Sequence, residues 1–187
     1  MSINLYIEAA LNGSESGFKS IYEQTAGYLY GVIKNYIQDT TERKDVLQEV
    51  FIEIFKSLKL FDPSKGNFKA WVSKIAARKC ILLLNEKKRL NLEHLDLIKA
   101  DFITEEMIPS ISFDHLDIEE MLQEMPTGFR TVFLLYEIDG FSHNEISKML
   151  GITPETSRSQ LSRAIKWLKT NFSQLKLFNS ELAYEKS

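Results

Sequence analysis

Apolar side chains recur along this chain at helical spacing, in one amphipathic stretch after another. Ile3 to Leu11 reads as a short helix, and Phe18, Ile21, Tyr22, Leu29, Val32, Ile33, Tyr36 and Ile37 trace the inner face of a long one. Asp39-Thr40-Thr41-Glu42 punctuates. Another helix then runs to about Lys59, with Leu47, Val50, Phe51, Ile54, Phe55 and Leu58 on one face. Asp62-Pro63-Ser64-Lys65-Gly66-Asn67 is a turn by its proline and glycine chemistry, and a further helix spans Phe68 to about Leu90. From Asn91 to Phe113 the periodicity weakens, and Pro109 and scattered serines mark a linker. Ile118 to Met125 then precedes Pro126-Thr127-Gly128, and Phe129, Val132, Phe133 and Tyr136 mark the next helix. The expected fold is all-α, two small helical domains (residues 1–91 and 117–175) joined by a linker at 92–116 and followed by a tail at 176–187.

The most specific pattern lies between Phe141 and Lys169. Ser142 and Glu145 stand as Ser-x-x-Glu, so the hydroxyl can accept from an orphan amide while the carboxylate reaches back to the cap's own N–H. Ile146, Met149 and Leu150 give that helix its apolar stripe, and Gly151 falls where a left-handed C-terminal residue is needed. Thr153 offers the next cap, Pro154 suits the first helical position, and Glu155 complements the helix dipole. On the second helix Ser157, Leu161, Ala164, Ile165 and Leu168 gather inward. Glu155, Arg158, Ser159, Ser162, Lys166 and Lys169 gather outward, with Arg163 at the edge. A short capped helix, a glycine turn and a basic-faced helix describe a helix-turn-helix at 142–169 that suits a phosphate-lined groove. The competing description is an ordinary solvated face.

Charge sharpens this picture. The net charge of −3 argues against a nucleic-acid partner only as an average. Lys74, Arg78, Lys79, Lys87, Lys88 and Arg89 make one segment basic, against Glu86 alone. From Glu93 to Glu124 the chain is strongly acidic with Lys99 the lone base, and from Arg158 to Lys169 it is basic without an acid. Basic, acidic, basic suits two DNA contacts on either side of an acidic spacer. The single cysteine, Cys80, excludes an internal disulfide and, beside Ala76, Ala77 and Ile81, reads as a small core residue. His94, His115 and His143 lack companions at ligand spacing, so no metal is expected. No phosphate loop, nucleophile elbow or paired-carboxylate motif appears, so neither a cofactor nor catalysis is expected. Without a signal peptide or a membrane-length apolar run, the expected location is the cytoplasm, with no direct membrane insertion.

Two faces in the first half are candidate contacts. Opposite the core of the third helix stand Asp45, Gln48, Glu49, Ile52 and Glu53, with Val46 at the margin. An acidic face holding an apolar residue suits a protein partner, whereas periodicity alone favours plain solvation. On the Phe68 to Leu90 helix, Lys74, Arg78, Ile81, Asn85 and Lys88 fall on one stripe. Basic groups there engage phosphates, and Arg and Asn can bond base edges. Trp71 has two readings, a core residue or a platform for an unpaired base.

These residues carry a family resemblance. K-D-V-L-Q-E-V-F-I followed by G-N-F-K-A-W-V-S-K-I-A resembles region 2 of the sigma-70 family. M-P-T-G-F-R-T-V-F-L-L-Y-E-I-D-G-F-S-H-N-E-I-S-K-M-L-G-I through T-S-R-S-Q-L-S-R-A resembles region 4. The short spacer, without a region 1 or a region 3 domain, resembles the extracytoplasmic function (ECF) group. The resemblance implies a dissociable specificity subunit of bacterial RNA polymerase. Thr156, Arg158, Ser159, Ser162, Arg163 and Lys166 would meet the minus-35 element. Lys74, Arg78, Asn85, Lys87, Lys88 and Arg89 would meet the minus-10 element, and Asp45, Gln48, Glu49 and Ile52 the β′ clamp helices. The β flap of core polymerase and an anti-sigma factor are further implied partners, and the acidic linker is expected to thread toward the RNA exit channel. The family commonly has Asn where this chain has Arg78, and Asp where it has Leu82. The apolar run Ile81-Leu82-Leu83-Leu84 is accordingly expected to bury one side of the helix more deeply. A competing function is a helix-turn-helix regulator with an N-terminal sensor or dimerisation domain, and a third is an adaptor without a DNA role.

Overall fold

A computed structural model describes the backbone of residues 3–94 and 118–185, and every element among them is helical. The chain divides into two compact units, Met1–Lys87 and Lys88–Ser187. Most of the expected linker, and the last residues of the expected tail, lie outside the described residues.

In the first unit α1 (Ile3–Leu11), α2 (Glu15–Tyr36) and α3 (Thr40–Ser57) follow in order, then α4 (Phe68–His94), whose last turns run past the boundary at Lys87. Local chemistry sets the ends. Ser14 caps α2 by accepting from Gly17 N at 3.3 Å, and Asp39 caps α3 by accepting from Glu42 N at 2.9 Å. A β-carbon at Gly17 would lie 2.6 Å from Ala10 N, so only glycine lets α1 and α2 approach this closely. After α3 the chain passes through two 3-10 turns, Leu58–Leu60 and Pro63–Lys65, the second capped by Asp62. Asn67 Oδ1 then accepts from Ala70 N at 2.8 Å to start α4. Ile21, Leu29, Ile33, Val50, Ile54, Val72, Ala76 and Cys80 fill the core. Val46, expected at the margin of the polar face, is core as well.

The second unit holds α5 (Ile118–Glu124), α6 (Thr127–Phe133), α7 (His143–Leu150) and α8 (Pro154–Glu185). Met121, Met125, Phe129, Ala164 and Trp167 pack together. Arg130 is buried, and its Nη1 donates to the Gln123 carbonyl at 2.6 Å, so a guanidinium closes the C-terminal end of α5. Burial lowers the Arg130 pKa, and nearby Glu124 opposes that effect. Directly after α6, Leu134–Ile138 forms a π-turn in which Asp139 N reaches back to the Leu134 carbonyl at 3.0 Å. The wider turn shifts the helical phase. Leu134 and Leu135 are buried, whereas Tyr136, expected inward, points out at 38% exposure. The helix expected to end near Lys169 continues to Glu185, through most of the expected tail.

Candidate nucleic-acid interface

The helix-turn-helix forms as its caps dictate. Ser142 Oγ accepts from Glu145 N at 3.3 Å, and Glu145 Oε2 accepts from Ser142 N at 2.9 Å, completing the reciprocal box. Gly151 sits at φ 66°, and Ile152 N donates to the Ser147 carbonyl at 3.1 Å, closing α7. Thr153 Oγ1 accepts from Thr156 N at 3.1 Å and opens α8.

Ser157, Ala164 and Trp167 of α8 are fully buried. Their azimuth leaves Arg158, Ser159, Ser162 and Lys166 exposed, with Thr156 and Arg163 half-buried at the margins. Trp167 and Asn171 are inward residues that periodicity counting missed, and Asn171 Nδ2 donates to the Trp167 carbonyl at 2.8 Å. Arg158 pairs with Glu155 at 3.2 Å, both side chains more than half exposed. The Glu155 carboxyl is held below its ordinary value by its own backbone amide first, then by the Thr153 hydroxyl and Arg158. An exposed, solvent-screened pair adds little to stability, so the Arg158 guanidinium is easily drawn to another acceptor.

On α4, Arg78, Asn85, Lys88 and Arg89 are exposed and Lys74 is half-buried. The outward stripe is not the one expected through Ile81. That residue continues the inner row of Val72, Ala76, Ala77 and Cys80 and is 2% exposed. Leu82, a further 100° round the helix, stands outward at 56% exposure. The apolar run therefore buries Ile81, half-buries Leu83 and Leu84, and presents Leu82 between Arg78 and Asn85. Lys87 bends to an ion pair with Glu42 on α3, and Lys79 pairs with Glu49 at 3.8 Å. Trp71 is half-buried against Phe61 and Phe68, and it edges an open cleft of about 330 Å³ shared with Lys65, Asn67 and Lys74.

The third candidate face is on α3. Asp45, Gln48 and Glu49 are exposed, and Ile52 is an apolar residue at 53% exposure among them. Asp45 and Glu49 border a groove of about 330 Å³ whose far wall includes Leu82, Leu83 and Glu86 of α4. No helix among the described residues is long and apolar enough to cross a membrane.

Two helical units, one with a capped helix-turn-helix and one with a basic helix beside an acidic-apolar face, define a protein of the DNA-binding transcription class. The family profile for sigma-70 region 2 matches residues 21–90, and that for sigma-70 region 4 matches residues 115–168, together more than half of the chain. The ECF RNA polymerase sigma factor SigE of Mycolicibacterium smegmatis is 27% identical over 153 residues, spanning 80% of this chain and 59% of that protein. SigW of Bacillus subtilis, another ECF sigma factor, is 23% identical over 187 residues, spanning 94% of this chain and 99% of that one. The chain also resembles two solved folds. CnrH, in complex with the cytosolic domain of CnrY, superposes with a TM-score of 0.50 at 22% identity, covering 90% of this chain and 96% of that one. RpoE of Bartonella quintana, in complex with the anti-sigma factor NepR, gives 0.51 at 19% identity, covering 83% and 96%. The chain belongs to the sigma-70 family of RNA polymerase sigma factors, in its ECF group. A regulator built on a sensor domain is set aside by that membership.

Proposed function

We propose that this ECF sigma factor recruits core RNA polymerase to promoters through three grips and itself catalyses no bond formation. The exposed α8 face of Arg158, Ser159, Ser162 and Lys166, set opposite fully buried Ser157, Ala164 and Trp167, carries the reading. That face, with Thr156 and Arg163 at its margins, enters the major groove of the minus-35 element. Lys74, Arg78, Asn85, Lys88 and Arg89 meet the minus-10 element, and Trp71 beside Lys74 offers a ring edge to an unstacked base. Lys87, turned to Glu42, acts there by holding α4 on α3. Asp45, Gln48, Glu49 and Ile52 meet the β′ clamp helices, and the second unit also meets the β flap. Each contact raises the effective concentration for the next, so the free chain binds DNA weakly and the holoenzyme binds it tightly.

An anti-sigma protein is the further partner proposed, since RpoE of Bartonella quintana is held by one. The place of action is the cytoplasm, where promoter and polymerase meet. Run-off transcription with core polymerase and a promoter library tests the whole reading. Promoter-specific transcripts that depend on this chain are expected. DNA binding with no polymerase-dependent transcript would sink it.

A further inference from the structure

Three elements of the second unit meet at one side chain, His143. It is the first residue of α7, immediately after the Ser142 cap, so its backbone is pinned by the capping box. Its ring lies flat on Tyr136 of the π-turn, with centroids 4.4 Å apart and planes 18° apart. Its Nδ1 lies 2.9 Å from Ser157 Oγ in the first turn of α8. Ser157 is fully buried, and it directly precedes Arg158.

We propose that His143 is a positioning residue for the recognition helix: anchored on Tyr136, it fixes the rotation of α8 through Ser157 and so aims Arg158, Ser159 and Ser162. The proposal rests on the minus-35 reading above. Successive residues on a helix are about 100° apart, so holding the azimuth of Ser157 holds that of its outward neighbours. A reading side chain must be kept within about 10–20° of its productive direction, and a hydrogen bond at the first turn resists rotation of that size. Apolar packing of Ala164 and Trp167 secures the helix two to three turns further on, but it is non-directional. The Ser157 hydroxyl supplies direction at the end that carries Arg158. Tyr136 is partly exposed, so the stack alone would be served equally by a phenyl ring; only a ring nitrogen bonds Ser157. Burial first, and the Arg158 charge second, hold the His143 pKa below its ordinary value, which favours the neutral ring. Either neutral tautomer completes the bond with a hydroxyl.

The test uses full-length chain assembled with core polymerase and a duplex library randomised at the upstream element over a fixed minus-10 element. The readout is the ratio of best to worst base at each upstream position. His143→Phe keeps the stack and removes the nitrogen, whereas Ser157→Ala removes the hydroxyl. Each is expected to flatten the ratio by about fivefold or more, the loss for one misplaced base contact, and the double variant to lose no more than either. His143→Asn, which returns a polar atom near the Nδ1 position without the ring, is expected to recover part of the preference. A second library, randomised at the minus-10 element, is expected to show an unchanged preference, and circular dichroism with urea unfolding identifies which variants keep the second unit folded and so enter the comparison. Should His143→Phe fail to fold, Ser157→Ala decides alone. An unchanged upstream ratio in the folded variants, or losses that simply add, overturns the positioning role. A wild-type holoenzyme with no upstream preference overturns the minus-35 reading itself.

Discussion

At the scale of single residues, the second unit concentrates its directional chemistry at the two helix starts of the helix-turn-helix. Ser142 holds Glu145 in a reciprocal box, and Ser142→Ala is expected to cost about 1 kcal/mol of stability, read as a shift in the urea midpoint at constant slope. Arg158, exposed and paired with Glu155, has the opposite profile. Its replacement by Ala should leave the urea midpoint nearly unmoved yet weaken upstream DNA binding by about 1–3 kcal/mol if it reads a base pair bidentately. A uniform loss across sequences would assign it to phosphate instead. His143 adds a pH signature whose sign follows from its lowered pKa. The folded state takes up its proton later than the unfolded chain does, so the contribution is complete above the ordinary value of 6.5 and is lost as pH falls through the folded value. Thermal unfolding of wild type and His143→Phe between roughly pH 8 and roughly pH 5 isolates it, because the carboxylates and other histidines titrate in both. The gap between the two proteins should shift against wild type on the acid side; a constant gap would show that His143 titrates alike folded and unfolded.

At the scale of elements, α5 ends on a buried guanidinium rather than a glycine, and that dictates how it fails. Arg130→Met keeps the stem and removes the donor to the Gln123 carbonyl, so the second unit should lose about 1.5–3 kcal/mol, the range for a hydrogen bond to a charged group. Denaturant unfolding followed by circular dichroism reads it, and a loss near zero would mean that water replaces the arginine. The arginine also shows which parts of the fold were legible in the sequence. Caps and turns were, because their chemistry is contained within four residues: Asp39, Ser142, Gly151 and Thr153 each act on a neighbour along the chain. Phase was less so. The outward α8 residues were found because a small-residue row marks the inside, yet Trp167 was missed beside charged Lys166 and Lys169, where side-chain type alone gives no side. The π-turn inserts its phase shift without a proline or glycine to announce it, and Tyr136 comes out facing His143. On α4 four consecutive apolar residues hide the phase altogether, and only packing against the unit's core separates buried Ile81 from exposed Leu82. Cross-helix pairs such as Lys87 with Glu42 depend on tertiary placement that no spacing rule encodes.

At the scale of the molecule, function is assigned to the coupling of grips that are individually weak, and the exposed apolar residue on α3 is the place to break that coupling cleanly. Ile52 is 53% exposed and contributes little to the core, so Ile52→Asp should change the stability of the first unit by no more than about 0.5 kcal/mol. In a protein interface the same side chain, ringed by Asp45, Gln48 and Glu49, would lose its apolar contact and desolvate a new charge. A central interface position of that kind costs about 2 kcal/mol or more, a thirtyfold loss of affinity for core polymerase. Because polymerase joins the two DNA contacts, promoter occupancy at limiting polymerase should fall by the same factor, whereas the weak DNA binding of the free chain should not change at all. Salt separates this from a DNA defect. If Arg78 meets a phosphate as proposed, Arg78→Ala lowers the slope of log affinity against log salt by about 0.9. Ile52→Asp should leave the slope of DNA binding by the preassembled holoenzyme intact and shift only the polymerase concentration needed to reach it. Equal core binding by wild type and variant in a direct titration would remove Ile52 from the polymerase contact and leave the α3 face as solvated surface.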